Sequence, residues 1–258
     1  RYLERIGYHG PTNPSFELLA QLQERHLLSV PYENLDILAG NGASLEFEDL
    51  FRKIVEQRRG GYCFELNRLF AHLLRALGFD VTDYVARFWR DESHLPPKRR
   101  HHVLGVALHG ERFLADVGVG GIVPRWPLVI REGGETVQGQ ECYRLDRDDR
   151  FGWFLMERKR AVWSRLYSFS EEPQEEKDFV FAHYWCMSAP DSPFVTSPIV
   201  AIRTADGRIT IAGNELRVFS GDTVTRFKLE SAESFRDGLK QYFGLALPNA
   251  FPWASLPL

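Results

Sequence analysis

The sequence has few cysteines: 3 in 258 residues, at positions 63, 142 and 186. They are far apart and form no CxxC pair, which argues against a structural zinc site, a dithiol redox motif and a disulfide framework. We therefore expect no metal, and a reducing compartment such as the cytoplasm. A cysteine in that setting is either a packed thiol or a reactive one.

The net charge of the sequence is also small, and its apolar runs are short. The formal net charge is -3, so no excess of positive charge indicates nucleic acid or an anionic membrane as a partner. We find no uninterrupted apolar stretch long enough to span a bilayer and recognise no signal peptide. Because the sequence starts at Arg1 rather than at a methionine, we expect a few residues to precede it.

The apolar residues follow patterns that change along the chain. Up to about residue 80 they recur every three to four residues, which predicts helices. From there to about residue 194 a period of two and glycine turns predict strands. Two further strands and a last helix ended by Gly244 are expected after that. The sequence thus predicts an α+β fold with three domains, at residues 1–80, 81–195 and 196–258.

Cys63 begins the best-defined helical pattern, within the run RGGYCFELN at residues 59–67. It would lie in the first turn, where unpaired N–H groups and the positive end of the helix dipole favour a thiolate. Gly60 and Gly61 are expected to let a substrate approach the backbone closely. The alternative at this point is a buried thiol that packs as a small hydrophobe. The stripe that defines the helix is Leu66, Leu69, Phe70, Leu73, Leu74 and Leu77.

Residues 101–118 have the pattern of two strands around a turn at 109–110. If the turn contains two residues, the apolar side chains of both strands share one face. His101 and Asp116 then lie diagonal to each other on the other face, and His102 points away from them. A slip of one residue would exchange the two histidines. The apolar pattern favours the register that selects His101.

These residue types suit nucleophilic catalysis. An activated cysteine needs a base that accepts its proton, and the base needs a partner that fixes its tautomer. His101 and Asp116 would supply both to Cys63, although each alone is also typical of a strand end or a turn. The other histidines have no carboxylate partner on a face that can be inferred, and we interpret them as surface or packing residues: His9, His26, His72, His94, His109 and His183.

The segments that carry these residues resemble those of the arylamine N-acetyltransferases. The run at 59–67 looks like that family's nucleophile motif, and residues 101–116 are similar to its histidine-to-aspartate hairpin in spacing and residue type. The segments PYENLD at 31–36 and DSPF at 191–194 also resemble family segments. The resemblance therefore extends from the N-terminus to about residue 200, and the last region fits by architecture alone.

The resemblance implies an N-terminal helical bundle, a central β-barrel and a C-terminal α/β lid, with a core similar to papain-like cysteine proteases. It also implies a ping-pong reaction in which Cys63 takes the acetyl group of acetyl-CoA and passes it to an aromatic amine or hydrazine. His101 would be the general base and acid, oriented by Asp116. A CoA thioester and a small amine are thus the implied partners.

Four further positions match family sites near the substrates. Tyr32, Phe88 and Val119 correspond to positions that line the acceptor pocket, and Gly120 to one near the pantetheine arm of CoA. Val119 departs from the family's usual phenylalanine, which removes an aromatic wall and widens the expected acceptor range. For Tyr32 and Phe88 the alternative is plain core packing.

Three other functions are open to the same residues. One is an amide synthase of the same superfamily, which closes a macrolactam from a carrier-bound thioester. Another is a cysteine peptidase or transglutaminase-like enzyme, disfavoured because no pro-segment or disulfide framework is seen. The last is a non-catalytic binding module with a relic triad, in which Cys63 would react like an ordinary free thiol.

Overall fold

The computed structural model describes residues 1–89, 96–248 and 251–253, so His94 lies outside the described residues. The helices lie mostly in the first third of the chain, and none among the described residues is long and apolar enough to cross a membrane. In chain order they are α1 (Tyr2–Arg5), α2 (Phe16–Ser29), α3 (Leu35–Leu38), α4 (Phe47–Leu50), α5 (Cys63–Ala76), α6 (Val180–Ser188), α7 (Pro193–Thr196) and α8 (Ala232–Phe243).

The strands form two antiparallel sheets and confirm the α+β class. The larger is an eight-stranded, barrel-like sheet in the order β5-β4-β3-β2-β9-β8-β7-β6, and the smaller has the order β1-β10-β11-β12-β13. Their strands are β1 (Tyr32–Glu33), β2 (Asp80–Phe88), β3 (Arg99–Leu108), β4 (Glu111–Ala115), β5 (Leu128–Val129), β6 (Thr136–Gln138), β7 (Glu141–Asp148), β8 (Gly152–Lys159), β9 (Val162–Phe169), β10 (Ile199–Arg203), β11 (Gly207–Ala212), β12 (Glu215–Ser220) and β13 (Thr223–Lys228).

Helix α5 joins the helical part of the chain to the larger sheet. The helix contacts β2 and β3. Leu66, Leu69, Phe70 and Leu74 of its apolar stripe are buried, Leu73 and Leu77 are half-buried, and each fully buried leucine or phenylalanine there contributes roughly 1.5–3 kcal/mol. Its first turn is capped by Glu65, whose Oε2 accepts the Tyr62 N–H at 3.0 Å. Gly78, with φ 88°, ends the helical path as predicted. The Cys63 end of the helix is thereby held next to β3.

The hairpin of β3 and β4 has the predicted register. Leu108 pairs with Glu111 and Leu104 with Ala115. The two turn residues have positive φ, 50° at His109 and 83° at Gly110, which is the geometry of a two-residue turn that matches strand twist. The choice between the adjacent histidines therefore follows from the apolar alternation.

The prediction of strands as far as residue 194 is wrong in its last part. After β9 the chain forms a short 3-10 turn at Glu176–Phe179 and then α6. Phe179, His183 and Cys186 are buried at helical spacing, whereas the aromatic and β-branched residues between them favour a strand by propensity. Packing of that one face overrides the local preference.

The smaller sheet combines residues from distant parts of the chain. Strand β1 pairs with β10, with Tyr32 opposite Ala201. One face of this sheet packs on α8 through a separate apolar cluster that includes Val200, Ile211 and Leu239. Because β1 and β10 share a sheet, the predicted first and third domains are in contact. The boundaries at residues 80 and 195 stay a prediction.

A buried charge cluster lies between β1 and the start of α5. Arg59 Nη2 is 2.8 Å from Glu33 Oε1 and 3.1 Å from Asp36 Oδ2. Lys53 Nζ is 2.9 Å from Asp36 Oδ2 and 2.8 Å from Glu65 Oε1. Glu33 is fully buried, and a buried carboxylate is stable only when it is paired and hydrogen-bonded. The cluster therefore ties the loop before Cys63 to β1.

We expect Arg59→Ala to lower the free energy of unfolding by about 3–5 kcal/mol, because it leaves the buried Glu33 carboxylate without its cation. Arg52→Ala is the matched control, since the Arg52 side chain is 58% exposed and pairs with exposed Asp49, and such pairs contribute about 0–1 kcal/mol. Urea unfolding of both variants measures the difference. Equal, small losses would show that the cluster does not stabilise the fold.

Candidate active site

The loop that precedes Cys63 lies against β1. The Glu33 N–H donates to Gly61 O at 2.8 Å, and a Cβ on Gly60 would clash with the carbonyl oxygen of Pro31. Only glycine fits there. The close approach expected at Gly60 is thus made by the chain's own backbone and not by a substrate, which corrects that expectation.

Cys63, His101 and Asp116 lie together where α5 meets the β3–β4 hairpin. His101 Nε2 is 2.8 Å from Asp116 Oδ2, and the other side of the imidazole lies next to the Cys63 thiol, where the two groups shift each other's pKa. Since Nε2 is used by Asp116, Nδ1 is the nitrogen that faces Cys63. The Cys63 thiol itself is 3.6 Å from the Arg100 carbonyl oxygen. The three residues are only 2–3% exposed. The sequence placed them on compatible faces, and the structure brings them together.

Asn67 anchors the carboxylate of Asp116. Its Nδ2 is 2.8 Å from Asp116 Oδ1 and 2.6 Å from His102 O, and its Oδ1 accepts the Val117 N–H at 2.9 Å. The Gly118 N–H donates to Asp116 Oδ1 at 2.7 Å. Sequence reasoning did not assign Asn67 a role. Its signal was the spacing of four residues from the candidate nucleophile, which puts both side chains on one helix face.

The protonation of the pair depends on burial and on Asp116. Burial alone would lower the pKa of His101, but the charge and hydrogen bond of Asp116 and the contact with Cys63 raise it to about 10. Burial raises the pKa of the Cys63 thiol, and His101 partly opposes that rise. Burial therefore opposes the thiolate expected at the helix N-terminus, and His101 favours it.

His102 faces away from this site, as predicted, and has its own partner. Its Nε2 is 2.7 Å from Asp83 Oδ1, and its ring lies 4.4 Å from that of Phe179. Burial would raise the pKa of Asp83, but the hydrogen bonds and charges of His102 and Arg75 lower it to about 2. Burial lowers the pKa of His102, so the neutral ring belongs to a buried hydrogen-bond and aromatic cluster that holds β2, β3 and the start of α6 together.

A cavity of about 420 Å³ opens beside Cys63 and His101. All three predicted acceptor-site residues line it, namely Tyr32, Phe88 and Val119, and the Phe88 ring meets that of His101 edge to face at 6.0 Å. Gly120 is not among the residues that line this cavity; it packs on Ala201, where a Cβ would come within 2.6 Å of Ala201 Cβ. Its neighbours Gly118 and Gly121 line the cavity instead.

Known proteins match almost the whole chain. The N-acetyltransferase family model matches residues 15–251. The arylamine N-acetyltransferase of Mycobacterium tuberculosis is 36% identical over 251 residues, which are 95% of this chain and 88% of the relative. This chain belongs to the arylamine N-acetyltransferase family.

Solved structures of arylamine N-acetyltransferases show the same fold. That of M. smegmatis superimposes with a TM-score of 0.93 at 34% identity and covers 99% of this chain and 96% of its own. The Mycobacterium marinum enzyme in complex with CoA gives a TM-score of 0.92 at 32% identity, with coverage of 99% and 96%. The chain is therefore an arylamine N-acetyltransferase family member over its full described length, including the last region, which the sequence motifs did not reach.

Within this arylamine N-acetyltransferase fold, several residues at the site had no local sequence signal. The Tyr167 ring lies 5.1 Å from that of His101, and Arg208 lines the cavity from β11. Gln23 of α2 accepts the Asp116 N–H at 3.2 Å. Each lies on an element whose sequence pattern predicts which face is buried but not which residues contact that face.

Proposed function

We propose that this protein transfers an acetyl group from acetyl-CoA to the nitrogen of an aromatic amine or hydrazine through an acetyl-Cys63 intermediate. The observation that carries the proposal is the buried set of Cys63, His101 and Asp116 beside an aromatic-walled cavity. Family membership supports it, as does the CoA complex of the M. marinum relative. A cavity of about 420 Å³ suits a small acceptor.

In the first half-reaction His101 accepts the proton of Cys63, and the sulfur attacks the carbonyl carbon of the acetyl thioester. The new carbon–sulfur bond forms as the bond to the CoA sulfur breaks, and the imidazolium returns the proton to the leaving CoA thiolate. Asp116 holds the ring in place and stabilises its charge. The slight exposure of the three residues keeps bulk water from the acetyl-cysteine.

In the second half-reaction the amine nitrogen attacks the acetyl-Cys63 carbonyl. The amine proton passes to His101, the carbon–sulfur bond breaks, and Cys63 recovers its proton. Tyr32, Phe88 and Val119 would contact the acceptor ring, and Gly120 would lie near the pantetheine arm. The valine at 119 would leave room for bulkier rings than phenylalanine allows. All three cysteines are free thiols, which supports a reducing compartment, and we place the protein in the cytoplasm.

The test separates the two half-reactions. Mixed with acetyl-CoA alone, the protein is expected to release one CoA thiol per chain and to gain about 42 Da, the mass added by one acetyl group, on the peptide that contains Cys63. Addition of an arylamine should then restore the original mass and yield the N-acetyl product. An amide synthase that needs a carrier-bound donor, a peptidase or a relic site would give no such adduct. Its absence, or its location on Cys142 or Cys186, would overturn the proposal.

A further inference from the structure

Gln23 is a buried polar residue among the apolar side chains of α2. It is 1% exposed, and the same helix buries Leu19, Leu22 and Leu27. A buried amide is stable only when its donor and its acceptor both have partners. The partners of Gln23 are 93 and 101 residues away along the chain, at the two ends of the loop that follows β4.

Gln23 contacts both ends of this loop, which runs from Asp116 to Pro124. Strand β4 ends at Ala115, and the N–H of the next residue, Asp116, donates to Gln23 Oε1 at 3.2 Å. Gln23 Nε2 donates to Pro124 O at 2.8 Å. Because one backbone partner is a donor and the other an acceptor, they determine the orientation of the amide. A single side chain thus closes the loop.

The two ends of the loop are anchored differently. Next to Pro124, the carbonyl oxygen of Val123 accepts a hydrogen bond from Arg203 Nη2 at 2.5 Å, which ties that end to β10. At the other end, the backbone N–H of Asp116 has Gln23 as its partner. Loss of the Gln23 hydrogen bonds is therefore expected to displace Asp116 rather than Pro124.

We propose that Gln23 is a positioning residue that holds the backbone of Asp116 and thereby places the Asp116 carboxylate against His101. The inference rests on the proposed function, because it assigns Gln23 to the same acetyl transfer. Asn67 holds the carboxylate from α5, and Gln23 holds the backbone of the same residue from α2. The contact with His101 is 2.8 Å long, and a displacement of about 1 Å in an active site can cost about a hundredfold in rate.

The experiment compares Gln23→Met with Gln138→Met. Methionine fills a similar volume but makes neither hydrogen bond. Gln138 is the matched control, because it is also only 2% exposed and its amide also makes two backbone hydrogen bonds, both with Trp126 at 2.9 Å. Thermal unfolding should show comparable losses of stability. Only Gln23→Met should lower kcat/KM, by roughly ten- to hundredfold and mainly through kcat, since Gln23 does not line the cavity.

A second measurement is the pH dependence of Cys63 alkylation by iodoacetamide, which needs no acetyl-CoA. Asp116 raises the pKa of His101, and His101 opposes the rise in the pKa of Cys63. A displaced Asp116 should therefore move the alkylation midpoint of Gln23→Met upward, by roughly half to one pH unit. Gln138→Met should keep the wild-type midpoint. Further buried titratable groups near Cys63 stay neutral because burial raises their pKa, namely Cys186, Tyr32 and Tyr62.

Gln23→Glu tests the two hydrogen bonds directly. A neutral carboxylic acid accepts the Asp116 N–H and donates to Pro124 O as the amide does, whereas a carboxylate can only accept. Burial raises the pKa of a carboxyl group. We therefore expect kcat/KM close to that of the wild type at about pH 6, and a loss relative to the wild type that grows towards about pH 9. Gln23→Met should show no such recovery at low pH.

A folded Gln23→Met variant with wild-type kcat/KM and an unchanged alkylation midpoint would overturn the proposal, as would an equal shift of the midpoint in Gln138→Met. If Gln23→Met does not fold, Gln23→Glu decides, and a loss that is the same at low and high pH contradicts the role. Failure of the proposed function looks different, because the wild-type protein would then form no acetyl adduct while the alkylation midpoints still separate the variants.

Discussion

Cys63→Ala is expected to reduce acetyl-CoA-dependent acetylation of arylamines by at least about ten-thousandfold, because the variant lacks the thiol sulfur that we propose carries the acetyl group in a two-step transfer. Cys63 is also small and its helix is anchored by Glu65 and Asn67, so the fold should persist. Steady-state turnover, the mass adduct and thermal unfolding together measure the effect.

Cys142→Ala is the control for Cys63→Ala. Cys142 is also a buried free thiol, but it lies on β7 beside Glu135, away from the cavity. Its variant should keep both the adduct and turnover. Substantial turnover by Cys63→Ala, or loss of the adduct in Cys142→Ala, would contradict the assignment of the nucleophile.

His101→Ala is expected to lower kcat/KM by about a hundred- to ten-thousandfold, the range for removal of a general acid–base group. The loss should appear in both half-reactions, because His101 removes the thiol proton in one and the amine proton in the other. Asp116 keeps its hydrogen bonds from Asn67 and Gly118. The fold should therefore be affected less than the chemistry.

The adjacent histidine is the matched comparison. His102→Ala removes a buried ring packed on Phe179 and leaves Asp83 with Arg75 as its remaining partner. We expect a lower melting temperature and a much smaller loss of kcat/KM in the folded fraction than for His101→Ala. Equal losses of activity in two equally stable variants would show that the register of β3 does not select the base.

Family membership supports acetyl transfer but does not identify the acceptor. The choice of acceptor depends on the residues that line the cavity. Tyr32, Phe88 and Val119 line the cavity, and we propose that the two aromatic residues contact the acceptor ring while Val119 leaves it more space than a phenylalanine would. Arg208 of β11 also lines the cavity, although that strand is far in sequence from the motifs near Cys63 and His101.

The features that could be predicted from the sequence are those for which a local residue pattern is compatible with only one local structure. The apolar stripe of α5 sets where its buried face lies and so places Cys63 in the first turn. The alternation in β3 and β4 sets the register, because a slip of one residue would bury the polar face. His101 and not His102 then meets Asp116, and the predicted turn at 109–110 is found.

Other features were decided by contacts between distant segments. Helix α6 packs on Phe64 through His183 where propensity favours a strand, and the pairing of β1 with β10 joins the predicted first and third domains. Burial raises the pKa of the Cys63 thiol, and His101 partly opposes that rise. A periodic pattern tells which face of an element is buried but not what covers it. The choice of Cys63, His101 and Asp116 as catalytic candidates thus follows from local patterns, whereas their protonation depends on which distant residues the tertiary fold brings beside them.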